Sequence, residues 1–105
     1  MTPDILLVAV NARYSHCAFA VRSLHANLGE LAGSARILET DLNLTPLQLA
    51  TQIAETHPRI VSFSVYLWNV RLIEAAARIL RTVTPRLRLI AGGPEITAGY
   101  PHAAL

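Results

Sequence analysis

A short apolar segment at residues 60–65 constrains the fold of this chain more than any other feature. It is rich in β-branched residues, follows a proline and precedes a stretch with helical periodicity, which predicts a strand buried on both faces of a parallel sheet. Ser62 and Ser64 interrupt the run and share one face, because side chains alternate along a strand. Ser64 ends the strand where open α/β sheets bind ligands, so we expect the following loop, 66–69, to border a binding site.

The remaining patterns alternate between strand and helix. Further apolar runs predict strands at 4–10, 35–39 and 88–91. Helical spacing predicts helices at 15–31, with Ser15 as N-cap and Gly33 just past the end, at 45–56, with a Thr45–Gln48 capping box, and at 70–83. This order predicts an α/β fold, a Rossmann-like (flavodoxin-like) three-layer α/β/α arrangement whose parallel strands lie in the order 2-1-3-4.

A complete unit of this type would add a helix, a fifth strand and a last helix. Residues 96–105 show no clear period, so we expect residues 1–105 to form one domain, truncated at its C-terminus and belonging to the front part of a larger protein. The missing elements would leave apolar surface exposed, which predicts a possible homodimer.

Composition narrows the class of protein. Because 52% of the 105 residues are apolar and 15% are charged, a disordered tail is excluded. No apolar run approaches the roughly 18 residues of a membrane span, and the start lacks a secretory signal. The single cysteine favours a cytoplasmic protein. All nine basic residues are scattered arginines, so we expect no nucleic-acid partner.

Three loops, 11–16, 66–69 and 92–95, follow strands and should meet at one edge of the sheet. Gly92 and Gly93 would let backbone approach a ligand closely. The first loop has no glycine, which argues against a nicotinamide site. The chain has no lysine and no cysteine cluster, which argues against a phosphate-accepting receiver, a zinc site and an iron–sulfur site. No Ser/His/Asp relay is apparent.

Four segments, at 11–16, 21–28, 63–69 and 91–95, together resemble one known family. They include Asn-Ala-Arg-Tyr, Ser-Val-Tyr-Leu-Trp-Asn and Gly-Gly-Pro-Glu, in this order. The chain resembles, over residues 4–97, the N-terminal cobalamin (B12)-binding domain of radical S-adenosylmethionine proteins, and in particular the group of the anaerobic magnesium-protoporphyrin IX monomethyl ester cyclase.

The resemblance implies a cobalamin site at the carboxyl edge of the sheet. Ser64 and Tyr66 match positions near the nucleotide tail of the cofactor, although the family usually has leucine where this chain has Tyr66. Gly92 and Gly93 match the paired glycines that let the base of the tail lie against backbone. The first loop would lie under the corrin ring. The implied cofactor-binding residues are Asn11, Arg13, Tyr14, Ser15, His16, Ser64, Tyr66, Trp68, Gly92, Gly93, Pro94 and Glu95.

The chain departs from the well-known Asp-x-His-x-x-Gly motif that supplies histidine to cobalt. Tyr14 stands two residues before His16 where the motif has Asp, and Phe19 stands three residues after it where the motif has Gly. The resemblance therefore implies base-off cobalamin without a histidine ligand. His16 is then a residue at the start of a helix.

The Cys-x-x-x-Cys-x-x-Cys motif of radical enzymes is absent from the chain. By the same resemblance, S-adenosylmethionine and a 4Fe-4S cluster would belong to a C-terminal radical domain, the expected partner, and this part alone would not catalyse a reaction. The parent reaction would be a methyl transfer or an oxidative cyclisation. Two alternatives stay open: a degenerate domain that no longer binds corrin and serves as an interaction surface, and a small α/β enzyme acting on a nucleotide.

Overall fold

The chain forms a parallel sheet with helices packed against it. The structure, a computed structural model, describes residues 3–11 and 25–92. The strands are β1 (Ile5–Asn11), β2 (Ala35–Asp41), β3 (Ile60–Ser64) and β4 (Arg88–Gly92). Within these ranges, the elements that connect them include the α-helices α1 (Pro46–Glu55) and α2 (Val70–Val83) and a 3₁₀ helix (Gly29–Ser34).

The strand order is β2-β1-β3-β4 and every pairing is parallel. This confirms the predicted order 2-1-3-4. In the register, Ala9 lies opposite Ser64, and Ser64 lies opposite Gly92. β2 continues two residues past its predicted end, to Asp41, because it follows β1 to that strand's last residue.

One face of the sheet holds the main core. Alternate side chains of β1 and β3 point into it, and α1 and α2 cover it with the apolar side of each helix. Phe63 is the largest of the fully buried side chains and is 1% exposed. The core consists of Leu6, Val8, Val10, Leu49, Ala50, Ile53, Val61, Phe63, Val65, Val70, Ile73, Ala76, Leu80 and Leu87.

Both α-helices match their predicted positions, and local side-chain chemistry explains why. The Thr45 hydroxyl accepts from the Gln48 N–H at 3.1 Å, and the Gln48 carboxamide oxygen accepts from the Thr45 N–H at 2.9 Å. Pro46 occupies the first turn, where its missing N–H costs nothing. α2 ends at Val83, and the Thr84 hydroxyl donates to the Leu80 carbonyl before Pro85 follows.

The opposite face of the sheet, here called the second face, is less covered than expected. Along β3, Val61 and Phe63 are fully buried on the core face, but Ser62 and Ser64 are only half-buried on the second face. Ile90 of β4 is 52% exposed there. The prediction that β3 is buried on both faces is therefore wrong. Within the described residues, the apolar packing of the second face lies over β1 and β2, around Leu7, Ala9, Ile5, Leu28 and Ile37.

The predicted helix at 15–31 ends earlier than expected. His25 and Ala26 are helical, but Gly29 has φ +60° and a 3₁₀ helix, Gly29–Ser34, follows it. A residue with positive φ cannot continue a right-handed helix, so Gly29, and not Gly33, is the glycine at the helix end. Residues 15–24, including the predicted N-cap Ser15, lie outside the described part of the chain.

Replacing Gly29 by alanine should lower the free energy of unfolding by about 1 kcal/mol, because a Cβ disfavours the left-handed conformation. Gly33→Ala is the matched control, since no described atom lies within 4 Å of a Cβ at either position and only Gly29 has a positive φ. Urea unfolding of both variants measures the difference. Equal losses at the two sites would contradict the assignment of Gly29 as the helix-ending residue.

Candidate functional site at the carboxyl edge of the sheet

The carboxyl ends of β1, β3 and β4 lie side by side, at Asn11, Ser64 and Gly92. β1 and β3 pair as far as Ala9 and Ser64 and then separate. The chain crosses from β1 to β2 on one side of this point and from β3 to β4 on the other, so it is the topological switch point of the sheet. Open α/β sheets bind their ligands in the crevice that such a point creates.

The Asn69 side chain lies between β1 and β3 at the point where the two strands separate. Its Nδ2 donates to the Val10 carbonyl at 3.0 Å and to the Ser64 carbonyl at 3.1 Å, and its Oδ1 accepts from the Tyr66 N–H at 2.8 Å. The residue is 1% exposed. Asn69 thus joins the ends of β1 and β3 to the loop that follows β3.

Two aromatic rings of that loop are stacked on each other. The ring centroids of Tyr66 and Trp68 are 4.6 Å apart, and the ring planes differ by 6°. The Trp68 indole Nε1 donates to the Val10 carbonyl at 3.3 Å, and Trp68 is 50% exposed. The pair therefore presents a flat aromatic surface at the edge of the crevice.

Small side chains line the second face beside this loop. Ser64 and Gly92 lie opposite each other in the register. Around a Cβ built on Gly92, no described atom lies within 4 Å. In the described part of the chain, the half-buried hydroxyls of Ser62 and Ser64 have no hydrogen-bond partner. Free hydroxyls next to open space can bind a polar ligand group.

The structure brings together part of the predicted site. Ser64 and Gly92 are neighbours, Tyr66 and Trp68 are stacked, and Asn11 follows Val10, the residue whose carbonyl binds Trp68. Asn11 itself lies opposite Asp41 of β2. The other predicted residues lie outside the described ranges: Arg13, Tyr14, Ser15, His16, Gly93, Pro94 and Glu95.

Sequence reasoning places Asn69 in the loop but not among the site residues. An asparagine directly before a helix is usually an N-cap. Asn69 does hold the N-cap position, but its side chain makes no capping bond and instead binds strand carbonyls. Its partner Val10 is 59 residues away in the sequence, so no local pattern indicates the contact.

A groove of about 1180 Å³ lies at the opposite, amino edge of the sheet. The starts of β1, β3 and β4 line it, and Arg59, Arg86 and Arg88 contribute to its wall. Its described lining includes none of the predicted site residues. Parallel α/β sheets bind ligands at the carboxyl ends of their strands, so the crevice beside Asn69 is the better candidate despite the size of this groove.

The described part of the chain shows neither a metal-binding cluster nor a membrane-spanning helix. Among residues 3–11 and 25–92, no three His, Cys, Asp or Glu side chains are grouped so that they could hold a metal ion. Within the same ranges, no helix combines the length and apolarity that crossing a bilayer requires.

Comparison with known proteins shows the family of this chain. The family model described as the B12 binding domain matches residues 5–104, nearly the whole chain. The chain belongs to the B12-binding domain family. The four-stranded parallel sheet with its flanking helices is the Rossmann-like fold expected for this B12-binding domain.

A solved structure has the same fold. It is the crystal structure of a novel cobalamin-binding protein from Desulfitobacterium hafniense DCB-2, with a TM-score of 0.58 and 17% sequence identity. The match covers 88% of this B12-binding domain and 44% of that chain, so the domain spans less than half of the solved protein. No curated protein matches the sequence.

Proposed function

We propose that this chain is the cobalamin-binding module of a B12-dependent radical S-adenosylmethionine protein. The observation that carries the cobalamin site is the Ser64 hydroxyl, which has no partner in the described part of the chain and lies next to Gly92, around whose Cβ position no described atom lies within 4 Å. Both residues lie at the switch point of a B12-binding domain. The radical partner is supported by the resemblance of the segments at 11–16, 21–28, 63–69 and 91–95 to that class of protein.

The described residues fit the parts of a cobalamin molecule. The Ser64 hydroxyl would hydrogen-bond the nucleotide tail, and Gly92 would let the base of the tail lie against backbone. The Tyr66–Trp68 pair would pack against the flat corrin, because aromatic faces bind flat apolar surfaces. By the resemblance, Asn11 and Arg13 to His16 would lie below the ring, and Gly93, Pro94 and Glu95 would be further cofactor-binding residues.

We propose that cobalamin is bound base-off and without histidine. Of the described histidines, His57 lines the groove at the amino edge, opposite the crevice. His16 lacks the Asp and Gly of the cobalt-ligating motif. When bound, cobalamin would carry a methyl group or an electron for the parent protein.

The rest of the proposed assembly follows from the same resemblance. A C-terminal radical domain of the same protein would hold S-adenosylmethionine and a 4Fe-4S cluster, and would carry out a methyl transfer or an oxidative cyclisation in the cytoplasm. When that radical domain is absent, we propose a homodimer contact at Ile90 of β4, which is 52% exposed.

A pocket filled by the Tyr66–Trp68 pair would favour the alternative of a degenerate domain. Neither Tyr66 nor Trp68 has an atom within 4 Å of a Cβ built on Gly92. This spacing favours a domain that retains its cofactor.

Titration with hydroxocobalamin should show binding that survives desalting, with the visible spectrum of base-off cobalamin. His16→Ala should leave that spectrum unchanged, because no histidine is expected on cobalt. A His16-dependent spectrum would refute the ligand assignment. Stabilisation by a nucleotide but not by hydroxocobalamin would refute the proposed function and support the small-enzyme alternative.

A further inference from the structure

We propose that Asn69 is the positioning residue that holds the Tyr66–Trp68 pair in place for cobalamin. This role rests on the proposed function, since it concerns the same crevice. Asn69 does not face the open space itself, because it is 1% exposed and its amide is bonded within the chain.

The side-chain hydrogen bonds of Asn69 join the ends of β1 and β3 to the loop that carries Tyr66 and Trp68. Both Nδ2 protons are used, one on the Val10 carbonyl and one on the Ser64 carbonyl, where the ladder between β1 and β3 has ended. The Val10 carbonyl also accepts from the Trp68 indole. One strand carbonyl therefore anchors both Asn69 and Trp68.

Tyr66 is held on both sides by this arrangement. Its N–H donates to Asn69 Oδ1 at 2.8 Å, and its carbonyl accepts from the N–H groups of Asn69, at 3.1 Å, and Val70, at 3.0 Å. These bonds fix the backbone of Tyr66 and therefore the direction of its Cα–Cβ bond. No described side chain other than Asn69 bonds the Tyr66 N–H.

Trp68 is held less firmly than Tyr66 by its own contacts. Its indole bond to Val10 is long, at 3.3 Å, and half of its surface is exposed, so burial does little to orient it. Its parallel packing on Tyr66 depends on the position of Tyr66. Loss of the Asn69 carboxamide should therefore release both rings.

The test uses Asn69→Ala and Asn69→Asp in the full 105-residue chain. Asn69→Asp keeps an acceptor for the Tyr66 N–H but loses both donated bonds. Asn43→Ala is the matched control, because Asn43 is exposed and its side chain has no hydrogen-bond partner in the described chain. Trp68 is the single tryptophan, so near-UV circular dichroism and tryptophan fluorescence report on it directly.

At low temperature, both Asn69 variants should lose most of the near-UV circular dichroism signal of Trp68. Their far-UV circular dichroism spectra should stay the same as that of the folded wild type. Their dissociation constant for hydroxocobalamin should rise roughly 10-fold or more, because both rings would lose the fixed position in which they pack against the corrin. Asn43→Ala should change neither quantity.

A folded variant that is less stable but keeps the Trp68 signal and the affinity for hydroxocobalamin would overturn the proposal, because Asn69 would then only stabilise the fold. Should neither variant fold, wild-type NMR decides: the Asn69 side-chain amide protons should exchange slowly and lie close to the Trp68 indole proton, and rapid exchange would overturn the assignment. A wild type that binds no cobalamin would overturn the cofactor role. If the Asn69 variants still lost the Trp68 signal in that case, the positioning of the rings by Asn69 would stand, and only the binding of cobalamin would be refuted.

Discussion

Replacing Phe63 by alanine should remove about 3–5 kcal/mol from the free energy of unfolding, the largest loss expected of any single change in this domain. Phe63 is 1% exposed and lies on β3, in the core between the sheet and the two α-helices. A domain of this size is stable by about 5–15 kcal/mol in total, so the variant should be close to its stability limit. Thermal unfolding should show a midpoint lowered by more than about 10 °C.

Leu47→Ala is the control for this prediction. Leu47 lies on α1 but is 62% exposed, and its truncation should change the free energy of unfolding by about 0.5 kcal/mol or less. Phe63→Leu should fall between the two, because it keeps most of the buried volume. A loss below about 1 kcal/mol for Phe63→Ala would show that β3 does not pass through the centre of the core.

Replacing Ser64 by phenylalanine should lower the affinity for hydroxocobalamin about 100-fold, which corresponds to about 2.7 kcal/mol. The new ring would occupy the space next to Gly92 on the second face, where no described atom lies within 4 Å of a Cβ built on that glycine. Because Ser64 is only half-buried, the fold should tolerate the larger side chain. Equilibrium titration followed by the visible spectrum measures the loss.

Ser64→Ala removes the hydroxyl but fills no space, so it measures the contribution of the hydroxyl alone to cobalamin binding. It should weaken binding by about 10-fold or less, the value of one hydrogen bond. Thr82→Phe, on the exposed side of α2, introduces the same ring elsewhere and should leave the affinity unchanged. Unaltered affinity in Ser64→Phe would place the cobalamin site away from the second face.

The features that sequence analysis predicted correctly depend on local signals. The helix at 70–83 has its predicted bounds because one apolar side recurs at helical spacing and Pro85 follows its end. The Thr45–Gln48 box marks the start of α1. The strand order follows from continuous apolar strands alternating with helices, since right-handed crossovers leave few other parallel arrangements.

The features that it missed depend on non-local contacts or on backbone conformation. The apolar spacing through Leu28 and Leu31 continues past Gly29, and residue type alone does not reveal that this glycine has φ +60°. The apolar run of β3 does not indicate which element covers each face. The role of Asn69 depends on carbonyls at the ends of two strands, one of them distant in sequence.

The central position of β1 also affects how the chain folds during synthesis. β1 comes first in the sequence, but Ile5 pairs with Ala35 on one side and with Ile60 on the other. Its apolar residues therefore leave the ribosome long before their second neighbour exists. Non-local pairing of this kind slows folding and leaves unpaired strand edges open to association. Until β3 has been synthesised, the edge of β1 that will pair with it therefore stays open to association with other chains.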